Sequence, residues 1–555
     1  MGNKYYVTDT DLSERFPIYT RANVGEVFPD PVTPLTSDTT LYQAELGWRD
    51  AWVRMGAFDA DEFPEGIYAQ LGVLGGYCFL NASMIRLVGE RAPGLSWEAM
   101  DAQFFGAQPG IPPYVEAAGD VRPDLEEKIG ATFGYVLSQS TVDDLTELTE
   151  DRNMTRKLRR DRPDLTAMSN DELWVRYQSL VAVHRTMFAH HLFATYMASL
   201  PLGIVSAVGA AVGRPDLIMP ILAGIGDVDS AAPSYAMWDL SRLDPASDEF
   251  AVGFQAFLDE FGSRGPNEWE TRSPTWETRP ALALAAIDRM RQAPDSMAPS
   301  RQNVIRAAQR EAAAAELLAI VESDPATHGQ LAAGVNSARA WLPGRERTKT
   351  NNIRVIHEMR MSMREIGRRM VEAGAFDEIE DFGFVRADEM PTLLANPHAL
   401  TEVIRDRRAE YASLEALEPP FLFVGGAEGP STWTRRDAIK VDQLDSGDTL
   451  QGLPGCPGVA EGIARVVLDS NDPTALEPGD ILVAPITDPS WTPLFVPAAA
   501  VVVDVGAALS HAIIVSRELG IPCVISATNA TRSIPNGARI RVEGDTGLIT
   551  VLSVD

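Results

Sequence analysis

VVVDVGAALSHAIIVSRELGIPCVISATNAT, residues 501–531, decides how this chain is read. Val501, Val502 and Val503 have the β-branched composition of a buried strand. The strand runs into a small-residue loop, Gly506-Ala507-Ala508. Ser510, a preferred N-cap residue, then precedes a helix predicted over His511 to Leu519. Gly520-Ile521-Pro522 ends that helix, because Gly adopts left-handed torsions and Pro cannot continue the hydrogen-bond ladder. His511 therefore sits in the first turn, where backbone N–H groups are free and the helix dipole favours anions. A histidine in that field stays neutral and nucleophilic near neutrality, and a phosphoryl group on it is stabilised. Taken alone, the stretch suits a histidine that merely caps or packs at a strand–helix turn better than a catalytic one.

Outward from this stretch, short β-rich runs surround a single convincing helix. They are GIARVVL (462–468), DILVAP (480–485), AAAVVVDV (498–505), CVISA (523–527) and ARIRVEG (538–544). Residues 452–555 are thus expected to form a compact α/β unit. Before it, GGAEGPSTW (425–433) and DQLDSGDTLQG (442–452) are polar and Gly-rich, so 425–451 reads as a linker or hinge. Residues 1–424 read as a mainly α-helical domain. Apolar residues recur at three- and four-residue spacing over Thr40 to Met55, Asn170 to Met197, Ala281 to Gln292, Gln302 to Glu322 and Asn351 to Ala373. Residues 1–40, rich in Pro, Thr and Asp, read as an extended leading segment, and PGIPPY (109–114) and GSRGPNEW (262–269) as loops.

The chain has 555 residues and a net charge of -30, from 48 Lys+Arg against 78 Asp+Glu. That charge repels nucleic acid and anionic membranes, so neither is an expected partner. Three widely separated cysteines, Cys78, Cys456 and Cys523, exclude a disulfide framework or a four-cysteine zinc site and fit a reducing cytoplasm. The N-terminus lacks the apolar stretch of a signal peptide. The longest apolar run, Leu202 to Gly226, is broken by Arg214, Pro215 and Asp216 and reads as buried helix and turn rather than a membrane span.

The string SHAIIVSRELGIPCV (510–524), with GDILVAPITDPSWTPLF (479–495) and GLPGCPGVAEGIARVV (452–467), closely resembles the swivelling phosphohistidine domain of the phosphoenolpyruvate-utilising enzymes. That family includes phosphoenolpyruvate synthase, pyruvate phosphate dikinase and rifampicin phosphotransferase. The resemblance implies that His511 accepts a phosphoryl group from a nucleotide-derived donor and delivers it to an acceptor. One departure is Ala507, where the family usually has a second Gly. TRANVGEVFPDPVTPLT (20–36), GGYCFLNASMI (75–85), FGSRGPNEWE (261–270) and Arg345 to Lys349 resemble the acceptor-binding domain of rifampicin phosphotransferase and its relatives.

Each of these segments also has a reading from its residues. Arg345 and Lys349 are four apart and share one helix face, which suits an anion held between them; the alternative is a solvated basic patch at a helix start. By resemblance they are the Arg and Lys of the transfer site. Arg264 can hold an anion in a forked geometry, and Glu268 could take a proton from an acceptor hydroxyl or bind a metal, or the two could form a structural ion pair. His184, His190 and His191 share one helix, with 184 and 191 on one face. Core packing is the favoured reading for them, with a base near the acceptor as the alternative. Rifampicin phosphotransferase and the dikinases begin with a nucleotide-binding ATP-grasp domain, whereas these 555 residues contain no P-loop. The expectation is a two-component enzyme resembling phenylphosphate synthase and the hydroxyacetophenone-type kinases. ATP and Mg²⁺ would be bound by a separate ATP-grasp subunit, with no tightly bound cofactor in this chain. Phospho-His511 would donate to a hydroxyl of a small, phenolic aromatic compound. A rifamycin-type acceptor is the alternative within that class, and a non-catalytic phosphocarrier the alternative outside it. A phosphoenolpyruvate-forming enzyme is disfavoured, because no barrel domain is legible. An enclosed apolar pocket facing Arg345 and Lys349 would favour the enzyme.

Overall fold

The computed structural model describes every residue except 1–3, 64, 65, 67, 93–95, 105–110, 227, 427, 470–475, 507–509 and 555. Ala507 and Ala508 of the loop before His511 lie outside the described residues, as does the start of PGIPPY.

Two long helices form the spine. One runs Asn170–Ala211, started by a capping box in which Ser169 Oγ accepts from the Glu172 N–H and Glu172 accepts from Ser169. The other runs Pro325–Glu372, opened by Asp324 accepting from the Ala326 and Thr327 N–H groups, with Pro at the first position. The two pack along each other and against the Tyr42–Met55 helix. Both exceed the expected lengths because each continues through a proline, Pro201 and Pro343. Proline removes one ladder hydrogen bond, and burial of the flanking turns holds the helix together across it. Arg345 and Lys349 consequently lie mid-helix, not at a helix start as the sequence suggested.

Strands also appear where none was expected. β1 (Ile18–Thr20), β2 (Leu71–Leu74), β3 (Tyr77–Asn81) and β4 (Leu422–Val424) form a sheet of order β2-β3-β1-β4, antiparallel at every pairing. The leading segment is therefore sheet-anchored, and β4 brings the chain back beside it just before the presumed hinge. Its strands are three to five residues long, too short for alternation to register in the sequence.

The C-terminal unit is an eight-stranded sheet of β5 (Thr449–Gln451), β6 (Leu453–Cys456), β7 (Val459–Val466), β8 (Ile481–Ala484), β9 (Ala500–Val503), β10 (Cys523–Ile525), β11 (Arg539–Glu543) and β12 (Leu548–Ser553). Its order is β5-β12-β11-β7-β8-β9-β10-β6, with β7, β8, β9 and β10 parallel. β8 and β9 are buried along their whole length, as parallel strands covered on both faces must be. β5 comes from the expected linker, so residues 449–451 belong to the sheet and not to a free hinge. The helix His511–Leu519 has the expected bounds, and Gly520 ends it at φ 72°.

One face of this unit is docked on the helical part. Trp238, Phe257, Ile287 and Met290 share a buried cluster with Leu482, Trp491, Leu494, Phe495 and Ile513. Arg306 donates to the Gly520 carbonyl at 2.9 Å, and the Asn267 N–H donates to Asp488 at 3.1 Å. The Asn170–Ala211 helix is long and apolar enough to cross a membrane by length and composition, yet 61% of its most apolar window is buried in this packing. The three cysteines are buried free thiols.

Candidate active site

The docked face brings His511 against the Pro325–Glu372 helix. His511 is 6% exposed and opens its own helix, with Ser510 in extended N-cap conformation. The Ser510 hydroxyl makes no capping bond. Buried, it finds no hydrogen-bond partner among the described residues. An unsatisfied buried hydroxyl at a helix N-terminus is a position that an oxyanion satisfies. The two ring nitrogens of His511 each lie 3.1 Å from a threonine hydroxyl, Nδ1 from Thr487 and Nε2 from Thr492. A neutral ring has one N–H and one lone pair, so one hydroxyl accepts and the other donates. Phe495 packs its edge against the ring. Burial, then Lys349, Arg264 and Arg345, hold the imidazole well below its ordinary protonation range. It is unprotonated at neutral pH, as a nucleophile must be.

His511 closes one end of a cavity of about 110 Å³. Its walls are mostly apolar, with Phe28, Leu41, Trp48, Phe188, Tyr196 and Trp269 among them. The polar groups converge at the His511 end: Arg345, Glu346 and Lys349 from the long helix, His191 from its neighbour, Glu26 from the leading segment, and Thr487 and Asp488 from the loop after β8. Arg345 is paired with Glu346 at 2.6 Å. Lys349 makes no hydrogen bond or close ion pair among the described residues, and its charge is felt by six buried groups around it. An ammonium with carboxylates around it but no direct ion-pair partner, beside a neutral histidine, is suited to receive an anion.

The other residues singled out from sequence fall further away. Arg264 and Glu268 form a two-bond ion pair at 2.8 and 3.1 Å, both about fully buried, with a further Arg264 bond to Thr350. Neither lines the cavity. Arg264 acts on His511 through its field, and both carboxylate oxygens of Glu268 are engaged by Arg264. His184 bonds Asn352 and the Thr40 carbonyl inside the core. His190 sits between Asp151 and Glu147 and is pushed up to about 9: burial opposes its charge, but the two carboxylates outweigh it. His191 alone of the three reaches the cavity, its Nδ1 bonded to Thr348 and its ring beside Trp269. Burial and the two cations keep it well below its ordinary range. No cluster of three or more potential metal ligands occurs among the described residues.

Sequence reasoning missed Glu26, Asp488, Thr487 and Thr492. Glu26 and the Thr-Asp pair sit inside stretches quoted for their resemblance, but nothing local marks them. Glu26 follows Asn23, whose φ of 62° turns the chain, and Arg21 braces that turn by donating to the Cys78 and Pro29 carbonyls.

Comparison with known proteins gives two family matches and several curated relatives. Residues 476–547 match the family model of the PEP-utilising enzyme mobile domain, and 190–346 match the rifampicin phosphotransferase fourth domain. The chain thus carries a mobile domain of the PEP-utilising enzymes, with His511 inside the matched segment. Among curated relatives, it is 30% identical to a rifampicin phosphotransferase of Streptomyces sviceus over 369 residues, 65% of this chain and 41% of that protein. It is 26% identical to the rifampicin phosphotransferase of Bacillus subtilis, over 70% of this chain and 44% of the relative. It is also 32% identical to the prodigiosin synthesizing transferase PigC of Serratia marcescens, over 56% of this chain and 34% of the relative. The chain spans less than half the length of each.

Proposed function

We propose that the chain is the phosphohistidine-bearing and acceptor-binding part of an ATP-dependent phosphotransferase. The observation that carries this reading is that Lys349, with no direct ion-pair partner among the described residues, lines the same aromatic-walled cavity as neutral His511. In the docked arrangement a phosphoryl group on His511 lies between the Ser510 hydroxyl, the free N–H groups of the helix and the Lys349–Arg345 face. An acceptor hydroxyl in the cavity attacks it, and the charge developing on the transferred group is met by fixed cations in a dry site. The C-terminal unit, 452–555, would swing on the segment between the two sheets to reach its phosphoryl donor. Within 1–424 the helices would hold the acceptor. The proposed donor is ATP with Mg²⁺ on an ATP-grasp module.

The cavity size favours a small aromatic alcohol or phenol as acceptor. A rifamycin-type acceptor is the second reading, supported by the names of the relatives; a macrocycle would need the docked face to open well beyond about 110 Å³. One experiment tests the core of the proposal. The chain is incubated with labelled phosphoramidate, which phosphorylates histidine directly, and then offered phenols or rifamycin SV. Acid-labile label on wild type that is absent from His511→Ala, and that moves to an added acceptor, supports the reading. Label that persists in His511→Ala and never transfers refutes it.

A further inference from the structure

Phosphoryl transfer to a hydroxyl needs a group to take the hydroxyl proton, and the structure contains a carboxylate placed for that task. We propose that Glu26 is the general base that deprotonates the acceptor; this rests on the phosphotransferase reading above.

Three observations place it. Glu26 lines the cavity that His511 closes, and it also lines a larger cleft of about 860 Å³, among Arg21, Asp30 and Asp504. It therefore stands between the acceptor and a route to solvent. The backbone N–H of His511 is near enough to favour the ionised form of Glu26, so Glu26 and His511 meet at the same end of the cavity. And its turn is fixed, by Asn23 in left-handed conformation and by Arg21 beneath it.

The competing groups are less able. Asp488 lines both spaces too, but one of its oxygens accepts from the Ser490 N–H and hydroxyl and the other from the Asn267 N–H. It latches the docked unit in place. Glu346 is paired with Arg345. Glu268 is outside the cavity and tied to Arg264. His191 faces the cavity, but burial, Arg345 and Lys349 leave it a weak base.

Glu26 differs from His191 in sign. Burial raises it to about 7, Lys349 and Arg345 resist that rise, and Asp488 adds to it. A phosphoryl group on His511 adds further negative charge and raises it more. A base poised near the working pH is the favourable case. In the step itself the acceptor O–H proton moves to a Glu26 oxygen, and the hydroxyl oxygen forms the new O–P bond. The P–N bond breaks with its electron pair returning to the imidazole nitrogen. The other ring nitrogen keeps the proton it shares with a threonine hydroxyl, so the ring leaves neutral. The Glu26 proton then exits through the larger cleft.

The test uses the full chain phosphorylated at His511 with phosphoramidate, the His511→Ala chain giving the background from the other six histidines. Single-turnover transfer is followed to phenol and to 4-nitrophenol, the latter already ionised in good part near neutrality. Glu26→Gln should slow transfer to phenol by about a hundredfold or more, and to 4-nitrophenol by less than about tenfold. For wild type the phenol rate should rise with pH through about 7, whereas Glu26→Gln should lose that limb. Equal slowing with both acceptors, or a retained limb, overturns the assignment. Should Glu26→Gln fail to accumulate, the wild-type phenol profile decides: a rate that levels off above about 7, well below the ionisation of phenol itself near about 10, supports a base, and a rate still rising there refutes one. Should wild type pass label to no phenol, the small-phenol reading falls and water becomes the acceptor. Glu26→Gln must then hold its phosphohistidine at least about tenfold longer than wild type, and an unchanged lifetime refutes the base.

Discussion

Replacing Lys349 by methionine tests the charge arrangement most directly. Methionine keeps the apolar stem that packs along the cavity wall and removes only the ammonium. Six buried groups feel that ammonium: Glu26, His191, Glu268, Glu346, Asp488 and His511. A unit charge acting over about 4 Å at an effective dielectric of about 20 is worth about 4 kcal/mol. The phosphoryl group in flight carries its charge at the His511 end of the cavity, beside that ammonium. The expected loss of transition-state stabilisation is about 3–4 kcal/mol, or roughly two to three orders of magnitude in rate. Only transfer out of His511 should suffer. On the proposed swing, His511 is loaded with the C-terminal unit away from the long helix, so label from phosphoramidate should accumulate at a near-normal rate. There is a second, signed consequence. Lys349 favours the ionised form of Glu26, so its loss should move the rising limb of the pH–rate profile upward from about 7. The assay is single-turnover transfer from pre-labelled chain to phenol across a pH series. Transfer within about tenfold of wild type, with the limb unmoved, would return Arg345 and Lys349 to a structural role.

Three further outcomes follow from the packing. Arg264→Ala leaves Glu268 charged and buried without its two-bond partner and should cost about 3–5 kcal/mol in urea unfolding, whereas Arg185→Ala, at an exposed pair with Asp50, should cost at most about 1 kcal/mol. His190 is raised to about 9 in the fold, so its ion pairing contributes fully below its ordinary value of 6.5 and is lost as pH rises through about 9. Wild type should lose on the order of 3 kcal/mol across that window, and a His190→Gln chain that lost as much would refute the assignment. Gly47 meets the Arg185 carbonyl where the Tyr42–Met55 and Asn170–Ala211 helices cross, at 2.8 Å from any added Cβ. Gly47→Val should therefore lower the thermal midpoint by forcing those helices apart, at a cost of about 1–3 kcal/mol.

The sequence by itself determined the C-terminal unit. The His511 helix could be read to the residue, because its start, its Gly520 stop and its amphipathic span are all local signals. Strands β7 to β11 were legible for the same reason: each lies in a short run with several β-branched or other apolar residues. Helix placement in the larger part was legible too, though not helix length, since Pro201 and Pro343 read as stops and only tertiary burial carries a helix through them. The sheet of β1 to β4 escaped notice because its register joins residues about 400 positions apart, with Tyr19 opposite Phe423. The site divides in the same way. Arg345 and Lys349 could be paired from their spacing on one face. Whether they met His511, and whether Arg264 and Glu268 faced an acceptor or each other, was decided only when the C-terminal unit docked. Glu26 was invisible for that reason. A lone glutamate in a turn has no signature, and its proton affinity is set by Lys349, Asp488 and burial, none of which is local in sequence.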